Sequence, residues 1–178
     1  MSGATPSQTV GPFFSFGLRW LESTQLVGTD HPERVVIQGS VLDGAGTGVP
    51  DALVETFQAD SAGEFGPVPE RDWYGFGRIL TNDEGQFAFT TVKPGPLTGS
   101  DGTMGAPHLS VSVFARGLLQ RVITRIYFPD EELANQLDPV LKTIAPERRS
   151  TLVARAADGG LWFDIHLQGE DETVFFNC

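Results

Sequence analysis

The sequence of 178 residues contains a single cysteine, Cys178, at its last position. It allows no internal disulfide, and a terminal thiol with nothing to set its pKa or geometry makes a poor nucleophile. Cationic side chains are also scarce: 12 Lys and Arg stand against 23 Asp and Glu, a formal net charge of -11. That balance argues against nucleic acid and anionic membrane surfaces as partners, although a local arginine can still hold a small anion. No apolar run approaches the ~20 residues that cross a bilayer, and no basic stretch leads into an apolar one at the N-terminus. The expected compartment is the cytoplasm. Histidine is rare as well: His31, His108 and His166 lie far apart, with no second ligand at metal-site spacing. There is no GxSxG elbow, and the glycine-rich stretch 39–48 lacks a phosphate-loop pattern. From its residues alone, the chain lacks an autonomous active site.

What the sequence does have is turns. Its 21 glycines and 12 prolines imply many tight turns and short strands rather than long helices. Val35, Ile37, Gly39 and Val41 alternate in one strand. Phe87 and Phe89 alternate in another, which follows a turn at Asn82–Gly85. Further strands are expected at Ala52–Gln58, Gly77–Thr81, His108–Phe114, Gln120–Phe128 and Leu161–Gln168, with Thr173–Phe176 as a closing segment. Short helices are expected at Asp130–Leu137, with acidic residues in its first turn, and at Pro146–Ala154, opened by proline. The predicted fold is all-β: one domain over residues 1–178, an antiparallel β-sandwich with short helical insertions and an N-terminal docking arm, residues 1–17. Phe13, Phe14 and Phe16 call for docking of that arm on its own domain or on a partner, because each exposed side chain forgoes roughly 1.5–3 kcal/mol of burial.

The stretch from Lys93 to Gly117, KPGPLTGSDGTMGAPHLSVSVFARG, is laid out like a metal-site strand with too few ligands. His108 and Ser110 share a face at period 2, so a serine stands where a second imidazole would be. Arg116, in the turn after that strand, either reaches an anionic ligand bidentately or is solvated. Arg125 alternates with Ile123 and Tyr127 and is a candidate to pair with a nearby carboxylate.

Several segments together resemble the intradiol ring-cleavage dioxygenases, and among them the iron-free subunit of a heteromeric member. They are PSQTVGPFF, IQGSVLDGAGTGVPDALVETFQADSAGEF, GRILTNDEGQFAFTTVKPGP, APHLSVSVFARG, TRIYF and GEDETVFF. The family's catalytic chain holds a non-haem ferric ion with two tyrosines and two histidines, a donor set suited to that hard cation. The matching positions here are Phe65, Leu97, His108 and Ser110, and Gly105 stands where an arginine is expected. The resemblance therefore implies no iron in this chain and an Fe(III) bound by a beta subunit. It further implies that the partnership cleaves protocatechuate, a small aromatic acid, with O2 to 3-carboxy-cis,cis-muconate. This chain would line the partner's site with Thr9, Val10, Gly11, Pro12 and Phe13 of the arm and with Arg116. Phe13 departs from the tyrosine often found there. The competing reading is a non-enzymatic β-sandwich module for binding, in which His108 and Arg116 have no shared role.

Overall fold

The computed structural model describes residues 6, 8–11, 13–18, 23–66, 73–99 and 102–177. A short helix, α1 (Phe14–Leu18), precedes β1 (Arg34–Leu42), β2 (Leu53–Phe57), β3 (Phe76–Leu80) and β4 (Gln86–Val92). There follow β5 (Leu97–Thr98), β6 (Met104–Gly105), β7 (His108–Phe114), β8 (Val122–Tyr127), α2 (Glu132–Leu137) and α3 (Pro139–Thr143). A 3-10 helix (Pro146–Leu152) then leads into β9 (Arg155–Ala157), β10 (Gly160–Trp162) and β11 (Ile165–His166).

Two sheets face each other. One is antiparallel in the order β3-β2-β7-β8. The other centres on β1, with β4 antiparallel along one edge and β10 and β11 parallel along the other. Alternation decides what lies between them. Ile37, Val41, Phe87 and Phe89 from one sheet meet Val54, Ile79, Leu109, Val111, Val113 and Ile126 from the other, all buried. β3 and β4 lie in different sheets, so the turn between them carries the chain across the sandwich instead of closing a hairpin. It is built on Asn82, whose Oδ1 accepts from the backbone N–H of Glu84 and Gln86 (3.1 and 2.8 Å). Gly85 takes the positive φ of 78° that the turn requires.

The architecture is the predicted β-sandwich, with local differences. Leu161–Gln168 does not run as one antiparallel strand. It pairs parallel to β1 and its ladder breaks at Phe163–Asp164, where the Asp164 Oδ1 accepts from the Ser40 N–H at 3.1 Å in place of a strand carbonyl. A Cβ at Gly39 would overlap the Phe163 carbonyl oxygen, so only glycine allows this approach. The expected helix at Asp130–Leu137 starts at Glu132, and a second helix begins after it at Pro139. Residues 173–176 form no strand, yet Phe176 N–H donates to Ile123 O and Val174 O accepts from Thr124 Oγ1, tying the segment to β8.

Candidate functional site

A cavity of about 430 Å³ opens on the outer face of the β3-β2-β7-β8 sheet. Phe57 pairs with Ser110 and Ser110 with Arg125, so these three residues form one row across β2, β7 and β8. Phe65 follows β2 in sequence and stacks on Phe57, ring centroids 5.3 Å apart and planes within 10°. Leu97, paired with Gly105 in the β5-β6 hairpin, closes a second side, and Pro139 and Val140 of α3 a third. His108 lies one pleat along β7 from Ser110. Phe65, Leu97, His108 and Ser110 are up to 45 residues apart in sequence and line this one cavity.

The donor set does not suit a ferric ion. Phe65 and Leu97 offer no donor atom, and Ser110 offers only a hydroxyl. His108 is buried, and its Nδ1 donates to the Ala106 carbonyl at 2.8 Å, which leaves Nε2 as an acceptor. Burial, and secondarily the charge of Arg125, lower the His108 pKa below the ordinary imidazole value. Tyr127 stands beside it, ring centroids 5.3 Å apart, but its hydroxyl is committed elsewhere. It donates to Asp138 Oδ1 and accepts from Arg125 Nη1, both at 3.1 Å. Among the described residues no group of three or more His, Cys, Asp or Glu is placed to hold a metal.

Burial raises the Tyr127 pKa to about 12; the Arg125 hydrogen bond and charge oppose that rise and the Asp138 carboxylate adds to it. Because the folded value lies above the ordinary 10, the protonated phenol favours the fold. Its contribution is complete below pH 10 and is lost as pH rises toward about 12. A phenolate absorbance titration should show a phase centred near pH 12 that disappears in Tyr127→Phe; a midpoint near 10 for that phase would contradict the geometry.

Asp138 organises the floor beneath the cavity. It is buried, caps α3 by accepting from Val140 N and Leu141 N (2.9 and 2.8 Å), and takes the Ala106 N–H on Oδ2 at 2.9 Å. The sequence reading missed this residue, although an aspartate directly before Pro139 is a readable helix start. It also missed Arg125 as a cavity residue. Arg125 makes no carboxylate pair among the described residues; its guanidinium lies over the Phe176 ring, 5.7 Å from the centroid, and donates to Tyr127.

Arg116 lies elsewhere. It stands six positions after Ser110 along β7 and its turn, roughly 20 Å at strand rise, and it is absent from the cavity lining. Its Nε donates to Asp51 Oδ1 at 3.2 Å, with half of the arginine side chain exposed. Asp51 holds a positive φ of 52°, a left-handed conformation that aspartate tolerates better than most residues. The arm meets the same turn: Thr9 Oγ1 accepts from the Gly117 N–H at 2.9 Å. Val10 is half-buried and Gly11 exposed, while Pro12 lies outside the described residues. The arm leaves two of its phenylalanines in solvent, Phe13 79% and Phe16 69% exposed, while Phe14 is half-buried. His31 sits in a loop, accepting from Glu33 N–H at 3.3 Å, and His166 on β11 is half-buried.

A family model described as Dioxygenase matches residues 20–169. The protocatechuate 3,4-dioxygenase alpha chain of Burkholderia cepacia is 43% identical over 97% of this chain and 96% of its own length. The beta chain of that enzyme from the same organism is 34% identical over 79% of this chain and 67% of its own. Among solved structures, a dioxygenase domain from a Streptomyces dioxygenase–carbohydrate-binding fusion superposes with a TM-score of 0.61 at 24% identity, covering 83% of this chain and 88% of that one. The chain belongs to the intradiol ring-cleavage dioxygenase family, whose enzymes depend on non-haem iron.

Proposed function

We propose that this chain is the iron-free alpha subunit of a protocatechuate 3,4-dioxygenase. In that reading it is one β-sandwich domain, residues 1–178, whose arm, residues 1–17, lies at the interface with a beta subunit. The assembly would work in the cytoplasm; no helix among the described residues is long and apolar enough to cross a membrane. The beta subunit holds Fe(III), which supplies the chemistry that opens the aromatic ring with O2 to give 3-carboxy-cis,cis-muconate.

The observation that carries this reading is a pair of features set apart on this chain. The family's ligand positions converge on a cavity without an iron donor set. The arm and the Arg116 turn are joined by the Thr9–Gly117 hydrogen bond at the far end of β7. That turn is open to a neighbour, and Phe13 and Phe16 are exposed for one. Docked there, Thr9, Val10, Gly11, Pro12 and Phe13 would wall the partner's site and exclude water. Arg116, steadied by Asp51, would present a planar cation to the substrate carboxylate. Co-expression with an iron-bearing beta chain tests the assignment. Protocatechuate-dependent O2 uptake should require both chains, and failure of the two to co-purify would favour a binding module without enzymatic partner.

A further inference from the structure

The cavity between Phe57 and Arg125 has a composition of its own that loss of a metal does not explain. Its volume of about 430 Å³ falls within the range of small-molecule sites, roughly 300–1,000 Å³. Phe57 and Phe65 are half-exposed, at 50% and 55%, and stacked on each other, so they form a flat aromatic wall kept open to solvent rather than folded into a core. Opposite them, Arg125 is half-buried and has no carboxylate partner among the described residues. Its one side-chain hydrogen bond goes to the Tyr127 hydroxyl, which leaves most of its N–H donors for a ligand. Asp138, on the other side of the Tyr127 hydroxyl from Arg125, is buried and already accepts four hydrogen bonds. Ser110 lies between the aromatic wall and the cation on the same cross-strand row, a small side chain that leaves the middle of the row open. Two strand spacings put the wall and the cation roughly 10 Å apart, a gap that one aromatic ring bearing one carboxylate can bridge. Beside the row, His108 Nε2 is an acceptor suited to a ring hydroxyl.

We infer that this cavity is a metal-free binding site for a hydroxylated aromatic monocarboxylate, its ring stacked on Phe57 and Phe65 and its carboxylate held by Arg125. The site is distinct from the Arg116 turn and does not depend on the partner assignment. Calorimetric titration of the purified full chain with 4-hydroxybenzoate should show one saturable site. Arg125→Gln should weaken it at least tenfold, and Ser110→Phe, which fills the middle of the row, should abolish it. The neutral analogue 4-hydroxybenzamide should bind at least tenfold more weakly to the unaltered chain and lose little more in Arg125→Gln. Absence of saturable binding, or equal affinity in the unaltered chain and Arg125→Gln, would overturn the inference. In the assembled enzyme the visible ferric absorbance reports occupancy of the partner's site separately. Heat that depends on Arg125 and leaves that absorbance unmoved belongs to this cavity, whereas loss of all Arg125-dependent heat on assembly would count against it. A chain that fails to pair with an iron-bearing partner would leave the titration of the chain alone unaffected.

Discussion

Arg116→Ala in the assembled enzyme should raise KM for protocatechuate about 10- to 150-fold while leaving the iron content of the complex unchanged. The range follows from hydrogen bonds to charged groups, worth about 1.5–3 kcal/mol each, at roughly 1.4 kcal/mol per factor of ten. Arg116→Lys should recover only part of the loss, because an ammonium keeps the charge without the planar fork that meets a carboxylate with two parallel donors. Asp51→Ala should cost far less. The Arg116–Asp51 pair is half-exposed, and such pairs contribute about 0.2–1 kcal/mol, so the substitution mainly loosens the guanidinium. Unchanged kinetics in Arg116→Ala would remove Arg116 from the partner's site. Loss of iron in the same variant would point instead to a disrupted assembly.

Asp138→Ala should be the most destabilising single change, by about 3–5 kcal/mol. Four donors lose their acceptor together: the N–H groups of Ala106, Val140 and Leu141 and the Tyr127 hydroxyl. All lie at or near buried positions, where an unsatisfied donor costs about 1–3 kcal/mol. For a chain of this size the melting temperature should fall by about 6–20 °C. Asp138→Asn should be milder, since an amide oxygen can still cap α3, although its NH2 would then face the Ala106 N–H. A loss below 1 kcal/mol in Asp138→Ala would mean that the floor of the cavity does not depend on this carboxylate.

The fold was legible where one face of a strand is apolar and the other is not. Ile37 and Val41 on β1 and Phe87 and Phe89 on β4 announce their inward faces by period 2 alone, and the Asn82–Gly85 turn joins β4 to the strand before it. The same periodicity places Phe163 and Ile165 inward correctly, yet it carries no strand direction. It also cannot show that the Asp164 side chain replaces a ladder bond, so the parallel pairing with β1 stayed hidden. Phe57 and Arg125 meet across Ser110 only through the pairing register of three strands, which no local pattern encodes. The aromatic arm gave a clear sign of needing a surface. Only the folded chain shows that its own sandwich leaves Phe13 and Phe16 exposed.

The central claim is that this chain keeps the family's fold without the family's iron and serves a site held by another subunit. Metal analysis and visible absorption of the purified chain, beside its complex with an iron-bearing beta chain, test it most directly. The chain alone should contain no stoichiometric iron and be colourless, and the complex should carry a red-brown tyrosinate-to-Fe(III) band. Stoichiometric iron or that band in the isolated chain would contradict the account.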